Sequence, residues 1–177
     1  CLIKDETFGL QTGDARDFKS FDELMTAFYA QLDWVVAYAT DMANKYQKFF
    51  AEYGPSPIRS VLIQGCIEKG KNYKDGGPIY NHGQILTEGL TDAIDSLANI
   101  KHFVFDTHKY TMAEVVDALE RDYEGYEEMY RDFKRSNLKF GNDIDEVDAL
   151  GGEIQRHFYS ALMKYHTYRD PVNGMYG

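Results

Sequence analysis

Residues 57–106 read PIRSVLIQGCIEKGKNYKDGGPIYNHGQILTEGLTDAIDSLANIKHFVFD, and the reading of this stretch decides the fold. The apolar run at 58–63 carries β-branched Ile and Val behind Pro57, a strand-like composition. Residues 65–78 are rich in Gly, Lys, Asn and Asp and predict a loop. A second extended run at 79–86 leads to Thr91 and Asp92, where a helix is expected to start. Ile94, Leu97, Ala98, the stem of Lys101 and Val104 keep helical spacing beyond it. The stretch therefore predicts strand, loop, strand, helix, with Gly76 and Gly77 just before the second strand.

The run at 79–86 poses a polarity problem. Alternation puts Ile79, Asn81, Gly83 and Ile85 on one face and Tyr80, His82, Gln84 and Leu86 on the other. Both faces then mix polar and apolar residues. A bulge at His82-Gly83 would turn Asn81 and Gln84 to the same side, so an irregularity is expected there. A buried amide such as that of Asn81 must find partners, because leaving it unpaired costs several kcal/mol.

Upstream, Thr12 to Asp17 reads as loop, and Ser20 with Glu23 forms a capping box. From Phe21 through Met25, Phe28, Leu32, Val36, Ala43 and Phe50 the apolar positions repeat at helical spacing, which predicts one long helix over 21–50, stopped by Gly54 and Pro55. Downstream, Thr111 and Glu114 make a second capping box for a helix running to about Tyr123, and Gly125 interrupts it. Residues 127–134 are helical and 136–142 a loop. Asp143 is expected to cap a last long helix through Val147, Ile154 and Leu162. Gly151 and Gly152 weaken that helix, so a close contact with a neighbouring element is expected at them. Residues 168–177 read as loop.

The 177 residues are 44% hydrophobic and 15% aromatic, enough for a folded core. A net charge of −10 argues against a nucleic-acid surface or an anionic membrane surface as partner. No apolar run reaches membrane-spanning length, and no signal peptide opens the sequence. Two distant cysteines make no disulfide framework, which fits a reducing cytoplasm. His82, His102, His108, His157 and His166 show no metal-ligand spacing, so no metal site is expected.

Three strings, taken with their order and spacing, resemble the glycyl radical enzymes of the pyruvate formate-lyase-like family: Cys66-Ile67-Glu68-Lys69-Gly70, Gly76-Gly77-Pro78-Ile79-Tyr80-Asn81 and Asp95-Ser96-Leu97-Ala98-Asn99-Ile100-Lys101. Thr12-Gly13-Asp14, Thr111-Met112-Ala113-Glu114 and Lys139-Phe140-Gly141-Asn142-Asp143 agree. The resemblance covers essentially the whole chain but only part of the family's length. It implies an α/β fold, a helix-rich portion of a ten-stranded barrel, with residues 1–177 a partial barrel domain cut at both ends.

The resemblance also implies chemistry. Such enzymes carry a backbone glycyl radical installed by an activating enzyme that uses S-adenosylmethionine and an iron–sulfur cluster. The radical converts a cysteine to a thiyl, which takes a hydrogen atom from a small substrate, and a C–C, C–O or C–N bond breaks. The family's radical-glycine string, Arg-Val-x-Gly-Tyr/Phe, does not occur here. Cys66 matches a second, downstream Cys-x-Glu-x-Gly string of the family, which makes it structural; the alternative reading gives Cys66 the thiyl role and Glu68 that of acid or base. On the first reading this span holds no catalytic residue and binds no cofactor, and the isolated chain is inert.

Tyr80, Asn81, Gln84 and Leu86 are the candidate substrate-binding residues, because the resemblance makes 79–86 a barrel strand. Leu86 aligns near a catalytic carboxylate of the arylacetate decarboxylases, so that activity is disfavoured. The parent is expected to be a cytoplasmic homodimer, a formate acetyltransferase-like enzyme or a diol, glycerol or hydroxyproline dehydratase-like one. A different class stays open: a non-catalytic helical domain that binds a partner through the stripe of the 21–50 helix.

Overall fold

The computed structural model describes residues 8–177. Helix α1 (Phe21–Tyr53) runs for 33 residues, about 50 Å at 1.5 Å per residue. Its start follows the sequence only in part. Ser20 Oγ accepts the Glu23 N–H at 3.2 Å, but the Glu23 carboxylate accepts from the N–H of Lys19, at 2.7 Å, rather than from that of Ser20. The Gly54 N–H donates to Phe50 O at 3.2 Å and ends the helix before Pro55.

The first predicted strand is a helix instead. Residues of the 58–63 run form α2 (Pro57–Val61). Pro57 occupies its first turn, where a missing N–H costs nothing and the fixed φ suits a helix. Ser60 decides the local conformation. Its hydroxyl donates to Ser56 O at 2.8 Å and accepts the Tyr73 N–H at 3.0 Å. The predicted loop at 65–78 likewise contains α3 (Cys66–Lys69) and a 3₁₀ turn at Tyr73–Asp75.

Helix α4 (Leu90–Ile100) widens into a π-helix at Lys101–Asp106. Thr107 closes it, donating both its N–H and its hydroxyl to His102 O, at 2.9 and 2.8 Å. Helix α5 (Met112–Glu120) carries the Thr111/Glu114 capping box in full. It stops short of Tyr123 because Asp122 and Tyr123 have φ of 50° and 62°, outside the helical region. We expect Thr111→Ala to lower stability by about 1 kcal/mol, measured by urea unfolding. Helix α6 (Glu127–Arg135) follows. Helix α7 (Asp145–Leu162) starts later than a cap at Asp143 would require. Asp143 is left-handed, φ 57°, and Ile144 O accepts the first N–H groups, from Val147 and Asp148.

The predicted C-terminal loop supplies a strand, β2 (Asp170–Met175), which pairs antiparallel with β1 (His166–Thr167) just before it. The expected strand at 79–86 keeps a single parallel bridge, Gly83 to Tyr176. The described chain is therefore helix-rich, as expected, with few strand residues.

The chain divides into two compact units, residues 1–31 with 87–156 and residues 32–86 with 157–177. In the first, Met25, Ile94, Leu97, Ala98, Val147 and Ile154 form one core, and Val104, Met112, Val115, Ala118 and Met129 form another. Gly151 makes the expected close contact: a Cβ there would lie 3.0 Å from Ile94 Cδ1 of α4 and 2.9 Å from the Phe140 ring. Gly152 meets only Arg156 of its own helix. In the second unit, Val36, Ala161, Leu162 and Tyr176 are buried together, with Leu32, Ala43, Ile85 and Phe158 against them.

Candidate functional site

The Cys66 and Gly76-Gly77 strings build a cradle. Gly65 is left-handed, φ 97°, and its N–H donates to Glu68 Oε2 at 3.0 Å. A Cβ on Gly65 would stand 2.9 Å from both Gly77 O and Ile79 N, so only glycine lets the two strands of chain meet. Cys66 is buried, with its Sγ facing Gly77. Lys69 Nζ donates to Pro78 O at 2.6 Å, and the Ile79 N–H donates to Gln64 O at 3.2 Å. Glu68 and Lys69 are thus both engaged in holding the backbone that leads into 79–86. Among the described residues, no group of three or more His, Cys, Asp and Glu side chains is placed to hold a metal ion.

Beyond the cradle, 79–86 is extended and held on one edge. Gly83 N–H donates to Met175 O at 2.9 Å, Gly177 N–H to Gly83 O at 3.2 Å, and Ile85 N–H to Gly177 O at 3.0 Å. The expected bulge at His82-Gly83 does not turn Asn81 and Gln84 together. From Asn81 onward alternation persists: Asn81 is buried, Gly83 and Ile85 are half-buried, and His82, Gln84 and Leu86 are exposed, whereas Ile79 and Tyr80 at the start of the run are both exposed. Hydrogen bonds meet part of the polarity problem instead, the side-chain Oδ1 of Asn81 having no protein partner among the described residues. Asn81 Nδ2 donates to Pro78 O at 2.8 Å, and Asn81 O accepts from the buried Thr167 hydroxyl at 2.7 Å.

The inward face rests on Tyr176. Its ring lies against Gly83, where a Cβ would come within 2.5 Å of Cδ1. Its hydroxyl donates to Asn44 Oδ1 at 2.7 Å and accepts from Gln47 Nε2 at 3.3 Å, both on α1. Burial raises the pKa of this phenol above the ordinary tyrosine value. Asp170, at the start of β2, takes the Asn173 N–H at 2.9 Å and the Val172 N–H at 3.3 Å. The backbone bond from Asn173 is the main reason its carboxyl is held below the usual range.

Of the residues singled out in the sequence, Tyr80, Gln84 and Leu86 share one open face, with Tyr80 79% and Leu86 68% exposed. Asn81 lies on the opposite face, 4% exposed, and serves the backbone. His82, which alternation puts on the same face but which is not among the candidates, joins the open face with its ring stacked on Tyr80 at 6.3 Å between centroids. Sequence reasoning missed Thr167 and Tyr176, whose partners are too distant in sequence to be inferred from local pattern. A separate hollow of about 410 Å³ in the first unit, lined by Phe21, Ala98, Lys101, Val147 and Arg156 among others, contains none of the candidates.

The chain belongs to the pyruvate formate lyase-like family, whose family model matches residues 1–176. It is 35% identical over 160 residues to trans-4-hydroxy-L-proline dehydratase of Clostridioides difficile, covering 90% of this chain and 20% of that protein. It is 35% identical over 167 residues to isethionate sulfite-lyase of Bilophila wadsworthia, covering 91% and 20%. The glycerol-bound B12-independent glycerol dehydratase of Clostridium butyricum superposes with a TM-score of 0.88 at 35% identity, over 98% of this chain and 22% of that one. The chain spans about a fifth of the length of the curated relatives it matches.

Proposed function

We propose that this chain is a segment of a glycyl radical dehydratase or lyase, and that the open face of 79–86 borders its substrate. The observation that carries the reading is the one-sided cover of 79–86. Ile85 packs into the cluster formed by Val36 of α1 and Ala161 and Leu162 of α7, which leaves Tyr80, Gln84 and Leu86 facing away from the helices. In a barrel whose helices form the outer layer, that direction is the lumen, where substrate is held apart from water. Similarity to hydroxyproline and glycerol dehydratases favours loss of water from a small hydroxylated metabolite over formate acetyltransferase-like transfer.

On this reading the parent is a cytoplasmic homodimer whose glycyl radical is installed by a separate S-adenosylmethionine and iron–sulfur activating enzyme. The thiyl cysteine and radical glycine come from other parts of the parent, so the 177-residue chain alone is inert. Incubated anaerobically with an activating enzyme, it should give no glycyl doublet by electron paramagnetic resonance; a doublet would refute inertness. In a family-length protein containing this segment, Gln84→Ala and Leu86→Ala should each lower kcat/KM by roughly tenfold or more, the effect of losing one or two substrate contacts. Both side chains are exposed in this chain, so thermal stability should change little. Unchanged kinetics in both variants would remove 79–86 from the substrate pocket.

The second reading, a partner-binding helical domain, draws on Tyr46, Phe49 and Tyr53, which α1 leaves 60%, 54% and 67% exposed. Earlier members of the same stripe are occupied within the chain, Met25 in the first unit and Val36 in the second.

A further inference from the structure

The open face of 79–86 contains a polar group that the substrate reading does not use. His82 stands between Tyr80 and Gln84 on that face and stacks its ring on Tyr80 at an interplanar angle of 16°. Its Nδ1 accepts the backbone N–H of Met175 at 3.3 Å, while its carbonyl accepts from Arg169 Nη2 at 3.1 Å. A ring nitrogen that accepts an N–H must be unprotonated, so the neutral imidazole carries its hydrogen on Nε2. The Met175 amide thereby fixes the tautomer, the Tyr80 ring fixes the plane, and the Arg169 contact ties down the backbone. Nε2–H is left as a donor on the uncovered face.

We propose that His82 is a substrate-binding residue: in its neutral form, its Nε2–H donates a hydrogen bond to an oxygen of a small hydroxylated substrate. The inference rests on the substrate reading of 79–86 and adds the chemistry of one contact. The geometry favours this role over that of proton donor to a leaving hydroxyl. Giving up the Nε2 proton from the neutral ring would leave an imidazolate, and the doubly protonated ring would have to break the Met175 bond. His82 is therefore assigned the orienting of substrate. The matching substrate group is a hydroxyl or acid oxygen.

The test is steady-state kinetics of the family-length protein with glycerol, propane-1,2-diol, trans-4-hydroxy-L-proline and isethionate as probes, alongside the glycyl radical content. Three variants divide the possibilities. His82→Leu removes both nitrogens, His82→Gln keeps an N–H donor near the reach of Nε2, and His82→Asn can accept from Met175 at the place of Nδ1 while its own N–H₂ is too short to reach the place of Nε2. With the probe that is turned over, His82→Leu and His82→Asn should raise KM by roughly tenfold, the effect of one lost hydrogen bond, with kcat changed less. His82→Gln should recover most of that loss, and radical content should stay at the wild-type level in all three. Recovery by His82→Asn and not by His82→Gln would mean that the ring only anchors Met175, and would overturn the proposal. So would unchanged KM in all three variants while Gln84→Ala impairs turnover. Wild-type kinetics in Gln84→Ala and Leu86→Ala as well, or no turnover of any probe, would instead overturn the substrate reading beneath it.

Discussion

Gly77→Ala should destabilise the chain by about 3 kcal/mol or more, among the largest effects of any single methyl group added to it. A Cβ at Gly77 would sit 2.7 Å from Cys66 Sγ and 2.8 Å from Asn72 O, with Lys71 O closer still. Two of these neighbours are backbone carbonyls, which cannot rotate away. The Gly77 N–H is itself bonded to Asn72 O at 3.0 Å, so shifting the glycine breaks the turn that positions it. Gly70→Ala is the control. Gly70 is left-handed, φ 60°, with open space around its Cβ position, so the cost there is backbone strain alone, about 1 kcal/mol. Urea unfolding of the two variants should separate steric cost from conformational cost. Equal losses would show that 65–79 can relax around an added methyl and is no rigid cradle.

Tyr176→Ala should lower stability by about 4 kcal/mol, and Tyr176→Phe by about 1–2 kcal/mol. Tyr176 is 2% exposed and is among the largest fully buried side chains. Alanine would leave a cavity beneath Gly83 and among Val36, Ala161 and Leu162. Phenylalanine keeps the volume but leaves Asn44 Oδ1 without the 2.7 Å donor, although that oxygen retains the Tyr168 N–H at 2.6 Å. Hydrogen exchange at Gly83 and Ile85, whose amides bond to Met175 and Gly177, should accelerate more in the alanine variant than exchange at Ile94 in the first unit. Uniform acceleration across both units would contradict a local role for Tyr176.

What the sequence made legible follows the range of the forces involved. The long α1 repeat, the Thr111/Glu114 box and the stop at Gly54 are local, within a few residues, and all appear in the structure. Glu23 is a near miss, bonding Lys19 one residue away from the expected partner. The run at 58–63 does not read as a helix because five helical residues are too few to display a period. The conformation there is set by Ser60 bridging Ser56 and Tyr73 rather than by its apolar residues. The C-terminal hairpin does not read as strand for a different reason. Gly174 looks like loop composition, yet its Cβ position is filled by Asn81 O at 2.6 Å and Asp170 O at 2.7 Å, and that crowding is invisible in one dimension. The exposed side of 79–86 was partly legible: alternation puts Tyr80, Gln84 and Leu86 on one face, and all three are exposed. The expected bulge then moved Asn81 to the wrong side, because its partners, Pro78 O and the Thr167 hydroxyl, include one 86 residues away.

The central claim is that the Cys66 string is scaffold and that the chemistry starts elsewhere in the parent. Cys66→Ala in the activated family-length protein tests it directly, by electron paramagnetic resonance and turnover on the same anaerobic sample. Cys66 is 3% exposed beneath Gly77, with Glu68 committed to the Gly65 N–H and Lys69 to Pro78 O. The account predicts a wild-type glycyl doublet, substantial turnover, and a stability loss of about 1–2 kcal/mol from the lost packing. An intact fold and an intact doublet with turnover abolished would contradict it, and would make Cys66 the thiyl residue.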